Sequence, residues 1–266
     1  MYVPAHFVET RPEELARIIR EHPLGVLVTH DAEGLDANHL PFEFDPGAGT
    51  HGMLTAHVAR AGPVGQRCAL GSPGMVVFRG AEGYVSPNWY PSKHEAHRQV
   101  PTWNYEVVHA HGLLTVRDDE RFVRGMVGRL TRRHESGEPR PWKMSDSTPE
   151  FIDGMLRSIV GIEVAVTSLV SKRKLSQNKD ERDRLGAADA LQAGGNTELA
   201  QSMRQAESES GKDSINPCER SMPPRSPLPC VKWTKNFMLW TKPLPMPRNP
   251  FPATLVMKPG KTPRWD

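Results

Sequence analysis

The stretch LGVLVTHDAEGLDANHLPFEFD (residues 24–45) decides the fold. LGVLVTH (24–30) is an apolar, β-branched run of strand length, and DAEG (31–34) is a turn signal. LDANHLPFEFD (35–45) alternates more loosely and reads as the returning strand. Two strands joined this closely pair antiparallel, because a parallel pair needs a crossover of a dozen or more residues. The same grammar continues outward through HGMLTAH (51–57), PGMVVFRG (73–80), GYVSP (83–87), TWNYEVVHAHGLLTVRD (102–118, with a weak point at Gly112) and RSIVGIEVAVTSLVSKRKLS (157–176). About seven strands, mostly joined by short turns, predict a mainly β, α+β chain built as a meander or barrel. Helices are predicted over 10–22, where Thr10 and Glu13 suggest a capping box, and over 118–135, 148–156 behind a Thr148 cap, 178–192 and 196–205. VARAGPVGQRCALG (58–71) reads as a short broken helix with a loop.

Composition divides the chain near residue 206. Residues 207–266 hold 12 of the 25 prolines, 10 Lys+Arg and 5 Asp+Glu, so the tail carries +5 and residues 1–206 carry −2 of the overall +3. The mild basicity therefore belongs to the tail, and the charge of the body does not support duplex DNA binding. We expect a domain over 1–206 and a disordered, Pro-rich tail over 207–266, since proline at that density removes backbone donors. The tail alternatively reads as a product of an altered frame or as a basic docking segment. No apolar run reaches the roughly 18 residues of a membrane helix. Three widely spaced cysteines, Cys68 among them as a packed residue, fit a reducing cytoplasm.

Nucleotide-binding glycine motifs and the G-x-S-x-G elbow are missing. His109 and His111 share a strand face, and His94 and His97 lie three apart, but no third ligand has metal spacing. Three clusters carry chemistry. TAHVARAGP (55–63) ends a strand at His57 and places Arg60 where positive charge suits a phosphate. VPTWNYEVVHAHG (100–112) puts Trp103 and Tyr105 on one strand face and Asn104 on the other, a setting for a planar heterocycle. SKRKLSQNKD (171–180) runs Lys172, Arg173 and Lys174 into Ser176, Gln177 and Asn178, a candidate anion cradle or a solvated basic turn with Asn178 as a cap.

Together with MYVPAHF (1–7), HLP (39–41), FRGAEGYVSPNWYPSK (78–93), IVGIEV (159–164) and KLSQNKDER (174–182), these segments resemble the PaiB-like family of FMN-binding negative transcriptional regulators. The resemblance covers roughly residues 1–206. It implies a six-stranded FMN-binding split β-barrel, a homodimer with FMN near the interface, and repression of genes for protease production and sporulation. Where the family has Gly-His and Ala-Asn-Pro, this chain has Ala56-His57 and Ala61-Gly62-Pro63. Carried over by position, Arg60, Lys174, Ser176 and Gln177 are expected to hold phosphate or ribityl oxygens of FMN. His39, His57, Trp103 and Asn104 are expected to border the ring. The alternative is a flavin-dependent oxidoreductase of the split-barrel class, although no residue stands out as a general acid or base. A local basic face at Arg129, Arg132 and Arg133 is the candidate for any direct DNA contact of the body, or else a solvated helix side.

Overall fold

The 24–45 hairpin forms with one break in it. In a computed structural model that describes residues 1–67 and 70–206, β1 (Leu24–Asp31) pairs antiparallel with β2 (Gly34–Pro41), from Leu24↔Pro41 to Asp31↔Gly34. Gly34, at φ 115°, takes the left-handed turn position. The returning strand stops after Pro41 and resumes as β3 (Glu43–Asp45), leaving Phe42 between them, fully buried and edge-on to Phe78 at 5.8 Å. The expectations for the tail and for Cys68 lie outside the described residues.

The remaining strands are β4 (Met53–Ala59), β5 (Ser72–Val85), β6 (Thr102–Arg117) and β7 (Ile159–Lys174), all antiparallel in the order β2-β1-β5-β6-β7-β4-β3. The two outermost segments, β2 and β3, are consecutive in the chain and separated by Phe42 alone. The sheet therefore curls round on itself. It is a split β-barrel in which one strand is broken, so the seven segments amount to six strands. The two runs expected at 73–80 and 83–87 are one strand with a bulge between Arg79 and Glu82, and the weak point at Gly112 is a register shift between His111 and Gly112.

Inward side chains alternate along each strand and fill the barrel with Leu27, Leu54, Val76, Phe78, Val108 and Ile162 among others. α1 (Pro12–Glu21) buries Leu15, Ile18 and Ile19 against this core. Its expected capping box is not formed: Arg11 sits at the N-cap without a side-chain cap, and Glu9 Oε1 instead accepts from the Thr10 and Arg11 amides at 3.0 and 2.9 Å. α2 (Pro63–Arg67) is the short piece of the expected broken helix.

β5, β6 and β7 run on past the barrel, and a second core covers their inward face there. α6 (Glu181–Ala193) and α7 (Thr197–Gln205) supply Ala187, Leu191, Leu199 and Met203 to it, against Val85, Tyr90 and Leu175. A third, smaller cluster joins α4 (Glu120–Glu135) to α5 (Pro149–Arg157) over the start of β7. Caps here follow the sequence: Asp119 Oδ1 accepts from the Phe122 amide at 2.7 Å and Thr148 Oγ1 from the Phe151 amide at 3.4 Å. Asn178 is not a cap, as Asp180 holds the N-cap of α6.

Candidate functional site

Strand alternation sorts the expected site residues onto two faces. On β6 the even-numbered residues from Asn104 to Leu114 turn inward, and Trp103, Tyr105, His109 and His111 turn outward. Laterally paired residues share a face, so one outward row runs His39↔Val26↔Val77↔His109↔Val170 across β2, β1, β5, β6 and β7. Around it Leu24, Leu35 and Leu113 are 61%, 78% and 45% exposed, a broad apolar surface on the outside of the sheet. His109 and His111 stand ring to ring at 6.4 Å, and burial, the chain's amino terminus and His111 push the His109 imidazole below its ordinary value.

One end of this face gathers the lysines. Lys174 ends β7 opposite Tyr105, and Trp103, half exposed, stands opposite Tyr84. The Lys174 ammonium donates to Thr102 Oγ1, that of Lys172 donates to the Tyr2 carbonyl at 3.4 Å, and that of Lys179 donates to Gln99 Oε1 at 2.7 Å. All three acceptors are neutral. Lys172 also lies 5.5 Å from the Tyr105 ring centroid and 6.0 Å from that of Phe7. Burial and the charges of Lys172 and Lys179 push Lys174 below the usual lysine value. Clustered cations that, among the described residues, donate only to neutral groups make a place where an anion is welcome.

Arg173, in the same basic run, turns the other way. Its Nε donates to Glu106 Oε1 at 2.6 Å inside the protein, and Glu106 also receives Arg17 at 3.1 Å and Ser202 Oγ at 3.0 Å. The alternation of the strand thus splits a block of three cations into two outward lysines and one internal arginine.

Asn104 and Ser176 are also internal. Asn104 Nδ2 donates to Ser176 Oγ at 2.9 Å and approaches Met203 Sδ at 3.4 Å, and the Tyr90 hydroxyl lies 3.3 Å from Ser176 Oγ. Asn104 Oδ1 is buried without a partner among the described residues. Gln177 is turned onto its own backbone, its Oε1 accepting from the Leu175 amide and its Nε2 donating to the Arg173 carbonyl, both at 2.7 Å.

His57 and Arg60 occupy the other end of the face. His57 pairs with Gly161, which pairs with Arg117. Burial lowers its pKa, disfavouring the charged ring, and its Nδ1 is buried with no partner among the described residues. Arg60, just past β4, forks onto Asp118 at 2.5 and 2.7 Å and donates through Nε to the Arg157 carbonyl at 2.7 Å. An anion reaches Arg60 only in competition with Asp118. From Gly161, beside His57, to Lys174 is thirteen residues of β7, about 40 Å of strand. The eight expected residues thus fall into two ends of one face, with His39 in the row between them, an interior pair of Asn104 and Ser176, and Gln177 half-buried in the turn beside it.

Residues 1–168 match the protein family described as "Putative FMN-binding domain". The chain belongs to this FMN-binding family. It is 29% identical to "Protease synthase and sporulation protein PAI 2" of Bacillus subtilis over 72% of this chain and 89% of that protein. Fungi hold relatives too: AFUA_5G13800 of Aspergillus fumigatus is 30% identical over 72% of this chain and 91% of its own length, and YKL070W of Saccharomyces cerevisiae is 31% identical over 57% and 100%. FMN is the cofactor of this family, and the chain's residues fit it at one end of the face: a lysine cluster for a phosphate and an exposed indole for a flat ring. When bound, the flavin supplies any redox chemistry, and the protein supplies position and electrostatics.

The lysine cluster extends beyond the expected residues. Lys179 was readable only as part of the run 171–180, since its return towards Lys174 depends on a turn at Ser176. The arginine face of α4 is largely committed elsewhere: Arg129 Nε donates to Glu43 at 3.1 Å and Arg133 to the Arg20 carbonyl at 2.5 Å. Among the described residues no group of three His, Cys, Asp or Glu side chains gathers as a metal site would need, and no helix is long and apolar enough to cross a membrane.

Proposed function

We propose that residues 1–206 act as an FMN-binding regulatory domain that works as a homodimer and represses transcription. The observation that carries the reading is the group Lys172, Lys174 and Lys179 beside exposed Trp103: three ammonium groups whose acceptors among the described residues are all neutral. In this reading Lys174 and its neighbours hold the FMN phosphate, and Trp103, His39 and His57 border the ring. Asn104 and Ser176 bond to one another in the interior, Gln177 bonds to neighbouring backbone, and the three support the site from behind.

The homodimer reading is supported by distance. The two ends of the outer face lie about 40 Å of strand apart, so no single flavin spans them within one chain. A second copy laid two-fold on the apolar row between them sets one end of each protomer against the opposite end of its partner. The regulatory reading is supported by the relative whose name ties it to protease synthesis and sporulation.

The test is the visible spectrum of the purified full-length chain, followed by FMN titration of wild type and Lys174→Ala. Flavin absorbance that the substitution weakens supports the site, and a colourless protein that takes up no added FMN removes it. Salt-sensitive binding of the loaded protein to duplex DNA supports repression by direct contact. NAD(P)H consumption with added FMN would instead favour the oxidoreductase.

A further inference from the structure

The backbone of Ser176 lies in the left-handed region, at φ 66°, one of two described non-glycine residues with positive φ. Such a conformation costs an L-residue energy and persists only where its surroundings over-determine it. Here they do so from three sides. Asn104 donates to its hydroxyl, and the Tyr90 hydroxyl lies beside it. Gln177 staples residues 173 and 175 through both ends of its amide. The Lys179 amide then donates to the Ser176 carbonyl at 3.0 Å, closing a turn with Gln177 and Asn178 at its tip. Lys174 enters this turn and Lys179 leaves it, and this reversal brings the two cations near enough for the charge of Lys179 to act on Lys174, their acceptors being Thr102, which opens β6, and Gln99 just before it.

We infer that Ser176 is a positioning residue rather than a cofactor ligand: its left-handed backbone, locked by Asn104, sets the spacing of Lys174 and Lys179 that recognises a phosphate monoester. The inference rests on the lysine cluster being the phosphate site. Ser176 is 3% exposed and its hydroxyl is held on the inward face, so the side chain contributes through the turn and not by touching the ligand. Asn104 has the same standing. Its buried amide leaves Oδ1 unspent, a cost that makes sense where the amide is needed to define a conformation and not to add stability.

Glycine separates the two roles, because it adopts positive φ freely and carries no hydroxyl. The experiment compares FMN and riboflavin affinities, by flavin fluorescence, for wild type, Ser176→Gly, Ser176→Ala and Lys174→Ala. Riboflavin lacks the phosphate and so reports everything except the lysines. Ser176→Gly is expected to keep the wild-type preference for FMN over riboflavin. Ser176→Ala, which loses the lock and keeps the strain, is expected to lose about tenfold in FMN affinity with riboflavin binding unchanged. Equal losses in the Gly and Ala variants, or no loss in Ala, overturn the inference. Should Ser176→Ala fail to fold, Ser176→Asn, which tolerates the left-handed region, takes its place and is expected to match Ser176→Gly; loss of the FMN preference in both overturns it. If Lys174→Ala binds FMN like wild type, the phosphate site itself is wrong and the inference falls with it, an outcome distinct from the others.

Discussion

Arg173 Nε donates to Glu106 Oε1 at 2.6 Å in the interior, where the Glu106 side chain has no exposed surface. The pair sits between the barrel core and the second core, and it ties the N-terminal segment through Glu9, α1 through Arg17 and α7 through Ser202. Removing Glu106 leaves the buried Arg173 on its longer contacts with Glu9 at 3.1 Å and Glu14 at 3.4 Å, and takes an acceptor from Arg17 and from Ser202. Glu106→Ala is expected to lower unfolding stability by about 3–5 kcal/mol in urea titration. The double substitution Glu106→Leu with Arg173→Met is expected to recover most of the loss.

Lys174 is expected to make FMN affinity fall at alkaline pH earlier than an ordinary lysine would. Burial and the neighbouring Lys172 and Lys179 lower its pKa, and only the protonated amine attracts the phosphate. Affinity is therefore full below that lowered value and is lost as pH rises through it. Lys179→Ala removes one repelling charge and moves the loss to higher pH. A pH series of FMN titrations on both proteins checks the shift.

Gly112 stands at the register shift of β6, where an added Cβ would meet the Ala165 carbonyl oxygen at 2.5 Å. Backbone cannot give way as a flexible side chain can, so Gly112→Ala is expected to cost about 1–3 kcal/mol. Gly125 of α4 offers the contrast, with only Arg129 at 3.8 Å from such an atom. Gly125→Ala is expected to stabilise the protein by about 0.5–1 kcal/mol through helix propensity. Thermal melts of the two variants should move in opposite directions.

Glu9 links stability to acid. Burial raises its pKa, but hydrogen bonds from Arg11 and Arg173 outweigh this and hold it at about 2, against 4.5 for an ordinary glutamate. A carboxylate depressed in the folded state stabilises above its unfolded value, and the contribution drains away as pH falls towards the folded one. Denaturant midpoints of the wild type should drop between about pH 4.5 and 2, and Glu9→Gln should flatten that slope.

Leu113, 45% exposed on the outer face and opposite Ala165, probes the proposed homodimer. Leu113→Glu buries a charge in a two-fold contact and is expected to shift sedimentation from dimer to monomer while leaving the melting temperature of the monomer fold within a few degrees. A dimer of undiminished strength would place the interface elsewhere.

The hairpin at 24–45 was legible because apolar period and turn residues agree there. Its break at Phe42 was not, since the alternation continues through that residue and only the buried Phe78 reveals the need for a corner. That Trp103 and Asn104 lie on opposite faces followed from strand period alone, but which of the two turns inward is set by the packing of the second core. The same period would have separated Arg173 from its neighbouring lysines, but the run reads first as a block of charge, and its partner Glu106 lies 67 residues away. Thr10 looked like a cap because its spacing to Glu13 is right, yet Glu9, a residue earlier, reaches the free amides first. Ser176 was read as a donor to an anion, and its left-handed backbone gave no signal, since serine rarely marks such a residue.

The strand β4 has β3 on one side and β7 on the other, joining Met53 to Ala165 and Ala59 to Ile159. These partners lie 100 to 112 positions apart in the chain. During synthesis, then, β4 emerges with one edge bare and keeps it bare until β7 has left the ribosome. For that interval the nascent chain exposes an unpaired strand, and the barrel can shut only after almost the whole domain has been made.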